Sequence, residues 1–137
     1  MSQWTHVSGV LRLDGMPMLP KMTEMDVRQI LGPMCLFDAW DESSTLPRGS
    51  EGSLQYNVLR AGNGMVLWTV PVWGDLRDYG YEDARELEPW LLNIAKNWPL
   101  VRSAHLLVEV EGSPPYFLIV DNELDASAPK VIRRIQA

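Results

Sequence analysis

One stretch constrains the fold more than any other: two β-patterned runs joined by four turn-forming residues. Leu54, Tyr56 and Val58 alternate with Gln55 and Asn57, the period-2 pattern of a half-buried strand. Ala61-Gly62-Asn63-Gly64 follows, and its glycines and asparagine tolerate the positive φ of a tight hairpin turn. The return run, 65–72, is apolar at nearly every position, which predicts a central strand ending at Trp73-Gly74. Residues 75–80 then read as a loop leading into a helix.

Upstream, 4–13 reads as a first strand with Thr5, Val7, Gly9, Leu11 and Leu13 facing the core. Trp4, His6, Ser8, Val10 and Arg12 take the other face, and 14–20 is a loop broken by glycine and proline. Thr23 with Asp26 three residues on is a capping signal, Val27, Ile30 and Leu31 keep helical spacing, and Gly32-Pro33 stops the helix. A helix this short is held by packing rather than propensity. Residues 34–51 read mostly as loop.

Downstream, 81–98 predicts a second helix with a stripe of Ala84, Leu87, Leu91, Ile94, Ala95 and Trp98. Glu82, Asp83 and Glu86 complement its positive end and Lys96 its negative end. Pro89 is either a first-turn residue, starting the helix near Glu88, or a kink. Residues 103–111 and 116–120 read as strands around a Gly-Ser-Pro-Pro turn, and 131–135 as a short edge strand. The expected fold is one α+β domain: a ferredoxin-like β-α-β-β-α-β antiparallel sheet, two helices on one face, and an extra C-terminal strand.

Composition narrows function mainly by exclusion. The chain of 137 residues carries a net charge of −6, which disfavours direct nucleic-acid binding because phosphate neutralisation needs clustered Lys and Arg. No apolar run reaches the length of a membrane span, and Met1-Ser2-Gln3-Trp4 lacks the zones of a secretory signal, so a cytoplasmic location is expected. Cys35 is the single cysteine, and two histidines without a third ligand at recognisable spacing predict no metal; no cofactor motif is present.

Two candidate surfaces emerge. The sheet face without helices would carry Trp4, His6 and His105 with Gln55, Asn57 and Thr69, able to hold a small polar ligand by stacking and hydrogen bonds, or to be a solvated face or a dimer seam. The segment 73–81 would place Trp73, Arg77, Tyr79 and Tyr81 at a strand end before a helix, where backbone N–H groups favour an anion; the alternative is a structural loop. Catalytic options are a Cys35–histidine pair, His6 or His105 alone, or carboxylates near Asp75, none within a recognised motif. Whether the chain is an enzyme stays open at this point, with a non-catalytic protein the expectation.

The opening Trp4-Thr5-His6-Val7, Gly52-Ser53-Leu54-Gln55-Tyr56 before the hairpin and Trp73-Gly74-Asp75-Leu76-Arg77 after it resemble the small acidic accessory proteins of tailed bacteriophages. The resemblance implies a non-catalytic binding protein of the host cytoplasm. Such proteins include anti-defence factors that sequester a nucleotide-derived immune signal or block a host protein. The alternatives are a small hydrolase or transferase, and an acidic nucleic-acid mimic. The partner is therefore a nucleotide-like ligand or a host protein, and the chain itself a homodimer or higher oligomer.

Overall fold

The computed structural model describes residues 2–15, 23–34, 46–61, 66–80, 86–98, 100–120 and 132–137. These form β1 (Trp4–Gly15), α1 (Glu24–Leu31), β2 (Gln55–Tyr56), β3 (Leu59–Ala61), β4 (Val66–Arg77), α2 (Leu87–Asn97), β5 (Leu100–Val110), β6 (Tyr116–Val120) and β7 (Ile132–Gln136). The fold is α+β: a seven-stranded sheet, antiparallel at every pairing, in the order β2-β4-β1-β5-β6-β7 with β3 beside β4.

Period-2 alternation puts one face of the sheet in the core. Thr5, Val7, Leu11 and Leu13 of β1, Trp68, Val70, Val72 and Leu76 of β4, and Ala104, Leu106 and Val108 of β5 are buried. Val27 and Leu31 of α1 and Leu87, Trp90, Leu91, Ile94 and Ala95 of α2 join the same cluster, so the helices close that face. Among the described residues, no helix or strand covers the other face, called the open face below.

The helix ends follow their chemistry. Thr23 and Asp26 form the reciprocal capping box, and Gly32 ends α1 with φ of 102°, a conformation glycine adopts without strain. Two carbonyls at that end are satisfied by aromatics: Trp90 Nε1–H donates to Leu31 O and the Tyr56 hydroxyl to Gly32 O, each at 2.8 Å. The second helix starts at Leu87, so Pro89 lies in its first turn, where a missing N–H removes no helical bond. Glu86 supplies no side-chain cap; the Tyr79 hydroxyl instead accepts the Leu87 N–H at 2.6 Å. Ala84, Glu82 and Asp83 lie outside the described residues, as do Cys35, Tyr81 and the turn at Gly62-Asn63-Gly64.

Four boundaries differ from the sequence expectation. The first limb of the hairpin is two short strands, because Pro71 opposite Asn57 has no N–H to return; Asn57 N–H donates across, to Pro71 O at 3.1 Å. The fourth strand runs on to Arg77, since β1 pairs with it without interruption from Trp4↔Arg77 to Gly15↔Val66. For the same reason Asp14 and Gly15 belong to β1 rather than to a loop. The fifth strand starts at Leu100, with a bulge where β1 passes from Arg12 to Leu13. Among the described residues, no helix is long and apolar enough to cross a membrane.

Candidate functional site

Directly opposed residues on neighbouring strands point to the same side, so the pairing register lays out the open face in rows. One end holds Asp75–His6–Glu109, with Trp4 and Arg77 at its margin. Next comes Trp73–Ser8–Leu107–Phe117–Ile135, with Gln55 beside Trp73, then Pro71–Val10–His105–Ile119–Arg133. Thr69–Arg12–Ser103 closes the other end, beside Arg102. Two rows rich in apolar residues thus lie between an acidic end and an arginine end. Val10, Leu59, Trp73 and Ile135 keep 43, 48, 47 and 39 % of their surfaces in water, and exposed apolar residues gathered on one face mark an interaction site where they form a patch.

The acidic end is built around His6. Its Nδ1 lies 2.6 Å from Asp75 Oδ1, and its Nε2 lies 3.9 Å from Glu111 Oε1. The hydrogen bond to Asp75, helped by the charges of Asp75, Glu111 and Glu109, raises the imidazole above its ordinary value of 6.5. Beside it opens a shallow cavity of about 190 Å³ lined by His6, Glu109, Val110, Glu111, Ser113 and Pro115. Its carboxylates suit a cationic group and repel a phosphate. No group of three His, Cys, Asp or Glu among the described residues is arranged to hold a metal ion.

A raised imidazole stabilises the fold below the unfolded-state value near 6.5, and that contribution is lost as pH rises through the folded-state value. The melting-temperature gap between wild type and His6→Gln should therefore be largest in mild acid and close as pH rises past neutrality. Because His6 is half-exposed, the gap should be small and shrink further with salt. A gap that widens with rising pH would contradict the pairing.

The proposed anion site over 73–81 is not formed by the described residues. Trp73 to Arg77 is strand, and its backbone serves the sheet: Arg77 N–H donates to Glu51 O at 3.0 Å, and Arg77 O accepts from Ser50 N–H at 2.7 Å. The Arg77 fork is taken up inside the chain, by Glu51 Oε1 and Ser2 Oγ, each at 2.8 Å. Tyr79 packs against the core, and burial pushes its phenol up to about 12. Of the described residues of that set, Trp73 and Arg77 share the open face by register, Trp73 half in water and Arg77 at the margin opposite Trp4.

Of the other candidates, Trp4 is half-buried at the margin opposite Arg77, Thr69 is half-buried at the arginine end, and His105 is exposed two rows from His6. The histidines therefore do not form one site. Sequence reasoning had not singled out Glu109 and Glu111 as partners of His6. The alternation of 103–111 puts Glu109 on the open face with His105, but pairing it with His6 needs the β1–β5 register. Comparison with protein-family models, with curated proteins and with solved structures finds no match.

Proposed function

We propose that this chain is a non-catalytic binding protein whose working surface is the open face of its sheet. One observation carries this reading: the two rows rich in apolar residues, anchored by a half-exposed Trp73 and edged by charge, have the make-up of a protein-docking surface. A protein partner fits better than a nucleotide-like signal, because the nearest concavity is small and lined by Glu109 and Glu111 and Arg77 is already engaged. In the tailed-phage setting implied by the sequence resemblance, that partner is a host protein blocked by contact. The framework fits the ferredoxin-like arrangement: β1 lies between β4 and β5, β2 and β3 act together as its second strand, and β6 and β7 are additions.

A photo-crosslinking residue placed at Trp73 should give a covalent protein adduct in the host cell, and one at Met25, exposed on α1, should not. No adduct at position 73 refutes the docking surface. Nucleotides and cyclic dinucleotides should leave the melting temperature unchanged, whereas a rise with any of them would restore the signal-binding version.

A small hydrolase is the second reading, favoured by the Asp75–His6 pair. Asp75 holds Nδ1, which turns Nε2 toward a cavity also lined by Ser113, a base–orienter arrangement. Under that reading His6→Gln abolishes turnover of an activated ester while barely moving the melting temperature.

A further inference from the structure

We infer that two copies pack open face to open face, as a β-sandwich across a twofold axis that lies between the sheets and crosses the strands. The inference rests on the reading of this face as a docking surface.

Area is the first ground. The four rows hold 17 residues, each taking about 33 Å² where strands lie about 4.8 Å and rows about 6.8 Å apart, so the face is roughly 550 Å² in projection. A standard specific interface buries about 800 Å² of accessible surface per partner, and side chains standing off the sheet expose more than its flat area, so this face is of the required order. Stacked sheets lie about 10 Å apart, the thickness that Trp73, Val10, Leu107 and Phe117 would fill.

Charge is the second ground, and it selects the axis. A twofold axis running along the strands would lay the acidic end, with Asp75, Glu109 and Glu111, on its own counterpart. Like charges facing one another across an interface are strongly unfavourable. An axis crossing the strands between the two central rows instead lays Thr69–Arg12–Ser103 of one copy, with Arg102 beside it, over Asp75–His6–Glu109 of the other, so the arginine end meets the acidic end. The central rows then meet each other, so both apolar rows are covered at once and the interface closes on itself.

The dimer covers the surface that a host target would use, so dimerisation and target binding exclude one another. This separates the inference from the reading beneath it. A monomeric wild type that still gives a host-protein adduct at position 73 overturns the dimer and leaves the docking surface intact.

Sedimentation at micromolar concentration should give twice the 15.5 kDa mass of the chain. Trp73→Glu should drop it to the monomer, and Trp73→Phe should keep the dimer, with circular dichroism showing both variants folded. The axis is read by crosslinking in a Cys35→Ser background with a bis-maleimide spanning about 10 Å, the spacing of packed sheets. Ser8→Cys, beside the axis, should crosslink to its own copy, and Glu111→Cys, at the acidic margin, should not. A mass of 15.5 kDa for the wild type overturns the inference. So does an efficient Glu111→Cys crosslink, which would require acid facing acid.

Discussion

Replacing Gly9 with alanine should lower the melting temperature by roughly 10 °C, more than an exposed-site substitution on a sheet normally does. A Cβ at this position would sit 2.0 Å from His105 O and 2.8 Å from Leu106 Cα. The first of these is a main-chain oxygen, which cannot rotate aside as a flexible side chain would. The only relief is to push β5 away from β1, and β1 is the strand on which both halves of the sheet are hung. Overpacking a rigid site costs about 3 kcal/mol, the upper end of the usual range. In a chain of this size each kcal/mol moves the melting temperature by about 3–4 °C. Gly112→Ala is the control. It has nothing within 4 Å of its Cβ, and its φ of +79° costs about 1–2 kcal/mol of backbone strain. Thermal denaturation of both variants decides it. If Gly9→Ala melts within about 2 °C of wild type, the close approach of β1 to β5 is wrong.

What the sequence disclosed, and what it hid, divides by the range of the interactions. The capping box at Thr23 and Asp26, the strand 116–120 and the buried sides of β1 and β5 are local or period-2 signals, and they were readable residue by residue. The second half of β4 was not. Gly74 and the charged Asp75 and Arg77 look like a loop by composition, and only the full-length partner strand from Trp4 to Gly15 makes them a ladder. Tyr79 shows the same limit. Beside Trp73 and Arg77 it resembled a stacking surface, whereas packing turns it inward to cap a helix eight residues later. The open face was inferable as a set of residues, but its order was not. That His6 meets Glu109 rather than His105, and that Trp73 heads a row ending at Ile135, depends on registers no single strand encodes.

A polar contact invisible in the sequence underlies the second large effect, a loss of about 2 kcal/mol in Arg102→Leu. Asp14 is only 2 % exposed, yet it carries a carboxylate. Oδ2 accepts a hydrogen bond from Arg102 Nε, while Oδ1 lies 3.7 Å from Arg12 Nε, and neither of those two atoms has a hydrogen-bond partner among the described residues. Arg102 therefore supplies the hydrogen bond recorded to this carboxylate. Removing it leaves a buried charge to Arg12 alone, at a separation too long for a hydrogen bond. A fully enclosed ion pair broken this way costs about 3–5 kcal/mol. The Arg102 side chain is 55 % exposed, so water screens part of the attraction and the smaller figure applies. That corresponds to a fall of about 7 °C in melting temperature for a chain of this size. Asp14→Val should rescue the loss, because it removes the stranded charge and keeps the backbone carbonyl that accepts the Trp98 indole N–H at 2.9 Å. The double variant Asp14→Val/Arg102→Leu should thus melt above Arg102→Leu alone. If the two substitutions instead add, the carboxylate does not depend on Arg102, and the bulge that brings the arginine over β1 has some other role.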